Sequence, residues 1–235
     1  MTVRIAVFAA AFLFHLSAVA QAPAPATPPP PVPADVSPLY VVTYIEVRPN
    51  AKDEGAALVK AYRDASRASK GNLRAVAVQR MRPGQFVLIS AWQNKAAWDA
   101  AGEGMKTQRE KLHAIRNAPS DDRFHNALSV GPMDLPAVKG GVYLVSHVDV
   151  IPPQKENAIV ALKALGDANR AADGNVRYDI VQQTNRPNHF TVVEIWRSRA
   201  DYEANGMSAH QREFRDKLGQ MTGALYDERL YEILE

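Results

Sequence analysis

The 235-residue chain contains no cysteine. That absence excludes disulfides, thiolate-held metals, iron–sulfur clusters and a thiol nucleophile. Histidine is sparse, six residues with no His-x-x-x-His or His-x-Glu constellation, so no metal site is expected. Phosphate-binding glycine loops, a helix-turn-helix pattern and an aromatic-basic stripe are also missing. A net charge of +3 is too small to point to nucleic acid or a membrane surface. Past the N-terminus, no apolar run reaches the roughly 20 residues that span a bilayer.

What is present is 46% hydrophobic and 23% charged residues, enough for two small cores. Arg4, the apolar run "IAVFAAAFLFHLSAV" and Ala18-Val19-Ala20 predict a cleaved signal peptide over residues 1–20 and a periplasmic or secreted mature protein starting at Gln21. Residues 21–38 are rich in Pro and Ala, which favour polyproline II and cannot build a core, so they read as a spacer.

The rest of the chain says one thing twice. "GNLRAVAV" begins at Gly71 and "GNVRYDIV" at Gly174, and Pro49 and Pro152 end matching strand patterns, each pair 103 residues apart. In each copy a helix follows that Pro, with Ala158, Leu162, Leu165 and Ala172 on one face in the second copy and Leu58, Tyr62, Ala65 and Ser69 in the first. Next come two strands joined by "RPG" or "NRPN", a second helix carrying Gln-Arg-Glu, and a last strand, "DRFHNAL" or "ERLYEIL". The order β-α-β-β-α-β is ferredoxin-like. Domains are thus expected at 39–130 and 141–235, joined by a linker at 131–140. The first carries net charge +6 and the second −3, which favours their pairing within the chain.

"GNVRYDIVQQTNRPNHFTVVEIWRSRADYEANGMSAHQREF" resembles the antibiotic biosynthesis monooxygenase domain, with Gly174, Tyr178, Glu194, Trp196, Ser198, Ser208 and His210 in the family pattern. The first copy is a degenerate version, with Ala75, Ser90 and Asn94 replacing Tyr178, Glu194 and Ser198. The resemblance implies an α+β fold, in which the two repeats pair as an intrachain dimeric α/β barrel. A further homo-oligomer is compatible with that arrangement. It also implies oxidation of a small electron-rich aromatic, a quinol or anthrone, by O2 with no cofactor. A deprotonated substrate of that kind reduces O2 itself, so the protein need only bind it, take a proton and stabilise the anion.

On this reading His210 is the candidate base, with a solvent-facing helix residue as the alternative, and Tyr202 and Arg177 are orienting groups. Arg177, matched by Arg74, either stabilises an anionic substrate or forms an ion pair. Trp196 either stacks on the substrate or belongs to the core. Tyr178, Asn205 and Glu194 complete the substrate-binding set, with His147 as either a pocket or an interior residue. Apolar Val192 and Leu88 stand where some quinone-forming relatives carry an amide, and Asn205 where many carry His. The alternative function is a non-catalytic periplasmic module of the same fold that binds small ligands or a partner.

Overall fold

The computed structural model describes residues 38–134 and 138–235. The signal peptide and nearly all of the spacer lie outside the described residues. The N-terminal half comprises β1 (Leu39–Val47), α1 (Lys52–Ala68), β2 (Asn72–Arg80), β3 (Gln85–Trp92), α2 (Lys95–Ile115) and β4 (Arg116–Ser129). The C-terminal half comprises β5 (Val142–Asp149), α3 (Lys155–Arg170), β6 (Asn175–Gln183), β7 (His189–Trp196), α4 (Arg199–Gly206), α5 (Ala209–Gly219) and β8 (Asp227–Ile233). The eight strands close into one antiparallel barrel in the order β1-β3-β2-β8-β5-β7-β6-β4. Two ferredoxin-like repeats therefore pair within the chain, as the duplication predicts.

Period-two alternation buries both faces of β1, β3, β5, β6 and β7. In β1, Val41, Ile45 and Val47 pack under α1 and α2 with Val59, Tyr62, Trp92 and Met105. Val42 points the other way, into a barrel interior shared by both halves, where it joins Val87, Ile89, Tyr143, Val145, Val193 and Ile195. A third core, with Leu162, Tyr178, Ile180, Val192 and Phe214, lies under the helices of the C-terminal half. Each such side chain contributes about 1.5–3 kcal/mol when fully buried.

The repeated glycine has a steric cause. Gly71 and Gly174 leave α1 and α3 with φ of +84° and +76°, the left-handed region. Added Cβ atoms would lie 2.6 Å from Ala97 Cβ and 2.4 Å from Asp201 Cβ, because the next helix starts against each glycine. Asn94 and Ser198 cap those helices alike, accepting from the backbone N–H of Ala97 and Asp201. The exchange of Ser198 for Asn94 therefore conserves the cap.

Two local expectations change. The face of α1 that meets the sheet is Gly55, Val59, Tyr62 and Ser66, one position round from the stripe read in the sequence, because Val59 fills the core that Leu58 only borders. The second helix of the C-terminal half is not continuous. It breaks after Gly206, and Ser208 starts α5 by accepting from Gln211 N–H.

Gly174→Ala combines a left-handed backbone with a side-chain clash, and we expect it to cost about 2–4 kcal/mol in urea unfolding. Gly219→Ala, whose Cβ meets nothing within 4 Å, should stay close to wild type.

Candidate functional site

The register of the C-terminal sheet builds a polar floor beneath its helices. On β7, Glu194 lies between Tyr178 of β6 and Leu144 of β5. In the next row Ser146 of β5 lies between Val192 and Glu228 of β8. Glu194 and Trp196 are buried, and the Trp196 indole N–H donates to Glu194 Oε2 at 2.9 Å. Tyr202 reaches down from α4 and its hydroxyl donates to Glu228.

The break between α4 and α5 lets the helices form a polar roof. Asn169 of α3, fully buried, accepts at Oδ1 from Asn205 Nδ2 at 2.8 Å and from Gln211 Nε2 at 3.3 Å. His210 Nε2 lies 3.1 Å from the same oxygen, 3.0 Å from Asn205 Oδ1 and 3.0 Å from Ser208 Oγ. Two amide oxygens at that distance require Nε2 to carry the hydrogen, so His210 serves the network as a donor. The buried Asn169 and Ser146 side chains meet the phenols of Tyr178 and Tyr226 respectively, which ties the roof to the floor.

Electrostatics at this floor follow from burial. Burial raises the Glu194 carboxyl to about 8, with the Trp196 N–H opposing the shift and the Glu228 charge adding to it. Glu194 therefore holds its proton at neutral pH. The phenols of Tyr178 and Tyr226 are raised well above the usual tyrosine range, first by burial and then by the charge of Glu194. Tyr202 is raised by burial and by its bond to Glu228.

Six of the residues singled out in the sequence thus converge: Glu194, Trp196, Tyr178, Tyr202, Asn205 and His210. Trp196 has 0% exposure and donates to Glu194, so its indole belongs to the buried floor. Arg177 and His147 lie on the opposite sheet face, inside the barrel. Arg177 donates to Asp179 at 2.6 Å and to the Pro132 carbonyl at 2.6 Å, within reach of Arg74 through the shared Asp179. His147 bonds with Tyr44 at 2.8 Å and Arg123 at 3.1 Å. Sequence reading missed Glu228, Tyr226, Asn169 and Ser146. Only the last two strands' shared Asp/Glu-Arg start hinted at Glu228.

In both halves the indole N–H of the last residue of the hairpin donates two residues back, Trp92 to Ser90 and Trp196 to Glu194, each at 2.9 Å. The frame is common and the acceptor differs, so the proton-holding carboxyl belongs to the C-terminal half.

The profile described as antibiotic biosynthesis monooxygenase matches residues 38–104 and 141–217. "Putative monooxygenase YcnE" of Bacillus subtilis is 26% identical over 86 residues, 37% of this chain and 90% of its own. A crystal structure of a Fusobacterium nucleatum protein described as a putative monooxygenase superposes with a TM-score of 0.77 at 11% identity, covering 85% of this chain and 94% of its own. An anthrone oxidase-like protein does so with a TM-score of 0.67 at 9% identity, over 85% and 92%. These likenesses at low identity support the fold.

The raised Glu194 pKa predicts a stability trend. An unfolded Glu has lost its proton above about pH 4.5 whereas the folded one keeps it to about 8, so stability falls as pH rises through that window. His125 and His147, both lowered to about 4 by burial, act oppositely but only below about 6.5. Between pH 6.5 and 8 wild-type protein should therefore lose on the order of 2 kcal/mol, and Glu194→Gln should lose little, in chemical denaturation at each pH.

Proposed function

Because this chain belongs to the antibiotic biosynthesis monooxygenase family and has a monooxygenase-like role, we propose that its C-terminal half oxidises a small quinol or anthrone with O2 and no cofactor. The observation that carries this reading is the buried, proton-holding Glu194 beside the Tyr202 and Glu228 pair. The substrate gives up two hydrogens, one atom of O2 becomes a ring carbonyl, and the other leaves with both hydrogens as water.

In this mechanism Glu194 removes the substrate proton. A carboxyl with a pKa of about 8 lies close to a phenol at about 10, so the transfer is only slightly uphill, whereas an ordinary carboxylate is a far weaker base. The resulting anion is electron-rich enough to reduce O2, and the protonated Glu194 then supplies a proton as the O–O bond breaks. Asn169 and Ser146, beside the phenols of Tyr178 and Tyr226, are the buried polar groups suited to the substrate oxygens. His210, with Nε2 held by three side-chain oxygens, positions Asn169 and Asn205. Arg177 acts at the barrel seam. We further propose that the protein works after export and cleavage at Ala20, which the mass of its N-terminal peptide in the extracytoplasmic fraction checks.

Oxygen uptake by the mature chain with an anthrone, against an autoxidation blank, tests the reading. Glu194→Gln should reduce kcat about 100-fold or more, and the wild-type rate should rise with pH towards a limb near 8. Tyr202→Phe should lose about tenfold, since it removes one hydrogen bond at a carboxylate. His210→Ala should fall less than Glu194→Gln. Tight binding of the anthrone with no uptake above the blank would establish a binding module instead.

A further inference from the structure

The N-terminal half has Ser90 where the C-terminal half has Glu194, the two occupying the same register between Val41 and Ala75 and between Leu144 and Tyr178. It has nevertheless kept a cavity of about 520 Å³ between α2 and the start of β4. That is within the roughly 300–1,000 Å³ of small-molecule sites. We propose that this cavity is a second ligand site, separate from the Glu194 centre, for a small aromatic monocarboxylate.

The recognising group is Arg109. Its Nη1 donates to the Tyr62 hydroxyl at 2.8 Å and its Nη2 to Asp122 Oδ2 at 2.7 Å, while Thr43 donates to Asp122 Oδ1 at 2.7 Å. The guanidinium also lies 5.9 Å from the Tyr62 ring centre and 6.0 Å from that of Trp98. It is held at both ends and against two rings, so little entropy remains to be lost on binding. Those two bonds use two of its five N–H donors, and the rest suit a carboxylate.

Lys106, three residues earlier on α2, lines the same cavity, and its ammonium has only a long contact of 3.5 Å to Glu103. Burial pushes the Tyr62 phenol up to about 12, so it adds no negative charge. Glu110 on the same rim opposes a second negative charge on the ligand and favours a monoanion over a dianion. Leu112, Pro119 and the Tyr62 ring give the cavity an apolar wall that a flat hydrocarbon body fits. The equivalent floor of the C-terminal half has Ser146 and Glu228 for Thr43 and Asp122, but the donor to the carboxylate there is Tyr202, and Arg215 acts on Glu194 and Tyr202 only through its charge.

Calorimetric titration of the mature chain with benzoate tests this site, with phthalate as the dianion. We expect benzoate to bind, phthalate to bind at least tenfold more weakly, and Arg109→Gln to weaken benzoate at least tenfold. Gly102→Leu provides a variant that spares the polar network. Gly102 lines the cavity, a Cβ there meets nothing within 4 Å, and leucine is the better helix former. It should abolish benzoate binding with unchanged thermal stability and unchanged oxygen uptake on the anthrone. Failure of benzoate to bind at millimolar concentration, or undiminished binding in Gly102→Leu, overturns the proposal. Loss of anthrone oxidation together with benzoate binding in Gly102→Leu also overturns it, by making the two sites one.

Discussion

Closure of the barrel depends on each half completing the other. The end of β8 pairs with β2, where Val78 lies opposite Ile233, and Leu234 then enters the N-terminal helix-face core, its N–H donating to the Ala77 carbonyl. The reverse exchange runs from β4 to β6, with Ala127 opposite Val181 and Leu128 against the C-terminal core. Arg63 secures one end through the Leu234 carbonyl and Arg170 the other through Ser129 Oγ. Without these seams each four-stranded sheet has two open edges and a bare apolar inner face, a form that associates rather than stays monomeric. The pairing is isologous in kind, and the linker makes it a matter of one chain.

The interior created by this closure is not wholly apolar, and its polar groups meet across the pseudo-twofold. Tyr44 and His147, 103 residues apart, hold equivalent places and bond to each other, with ring centres 5.3 Å apart. Arg123 also points an N–H at His147 Nε2, and arginine only donates, so that nitrogen is the acceptor and the hydrogen sits on Nδ1. Thr191 then receives Nδ1 and faces His125 Nε2 at 2.9 Å. Both imidazoles stay neutral because burial holds their pKa near 4, and the interior thereby avoids further cations beside Arg123. At the other seam Asp179 accepts from Arg177, from Arg74 and from the Gly131 N–H, which offsets one of two buried guanidinium charges.

Local rules were legible in the sequence and cross-strand geometry was not. Gly71, Gly174, Pro49 and Pro152 announce themselves because a left-handed φ and a missing N–H restrict single residues. The order of elements along the chain follows from them and from the turn residues between the hairpin strands. Arg74 and Arg177 were visible as a repeated pair, yet alternation alone does not say which sheet face becomes the barrel interior, so their shared Asp179 stayed hidden. The same limit left His210, Tyr202 and Glu194 as a list, because their convergence depends on a helix break at Met207 that no proline marks. Glu228 was obscured further. It aligns with Asp122 at a spacing of 106 rather than 103, and only the pairing of Thr43 with Asp122 and of Ser146 with Glu228 shows both carboxylates turned under the helices.

That common floor explains how one duplicated unit can carry two chemistries. Both halves place a hydroxyl opposite a carboxylate and aim a tryptophan N–H at the neighbouring strand residue. What differs is the group that meets the carboxylate from above. In the N-terminal half α2 runs unbroken for 21 residues and brings Arg109 onto Asp122, so the charge is neutralised and a fixed guanidinium remains facing the cavity. In the C-terminal half the break after α4 leaves Tyr202 on Glu228, a neutral donor on a charged acceptor, and that charge helps hold the proton on buried Glu194. A cation in place of Tyr202 would lower the Glu194 pKa and weaken it as a base. The N-terminal half, with Ser90 in place of the carboxyl, can therefore hold Arg109 on its carboxylate, while in the C-terminal half the Arg215 charge opposes the burial of Glu194 without outweighing it.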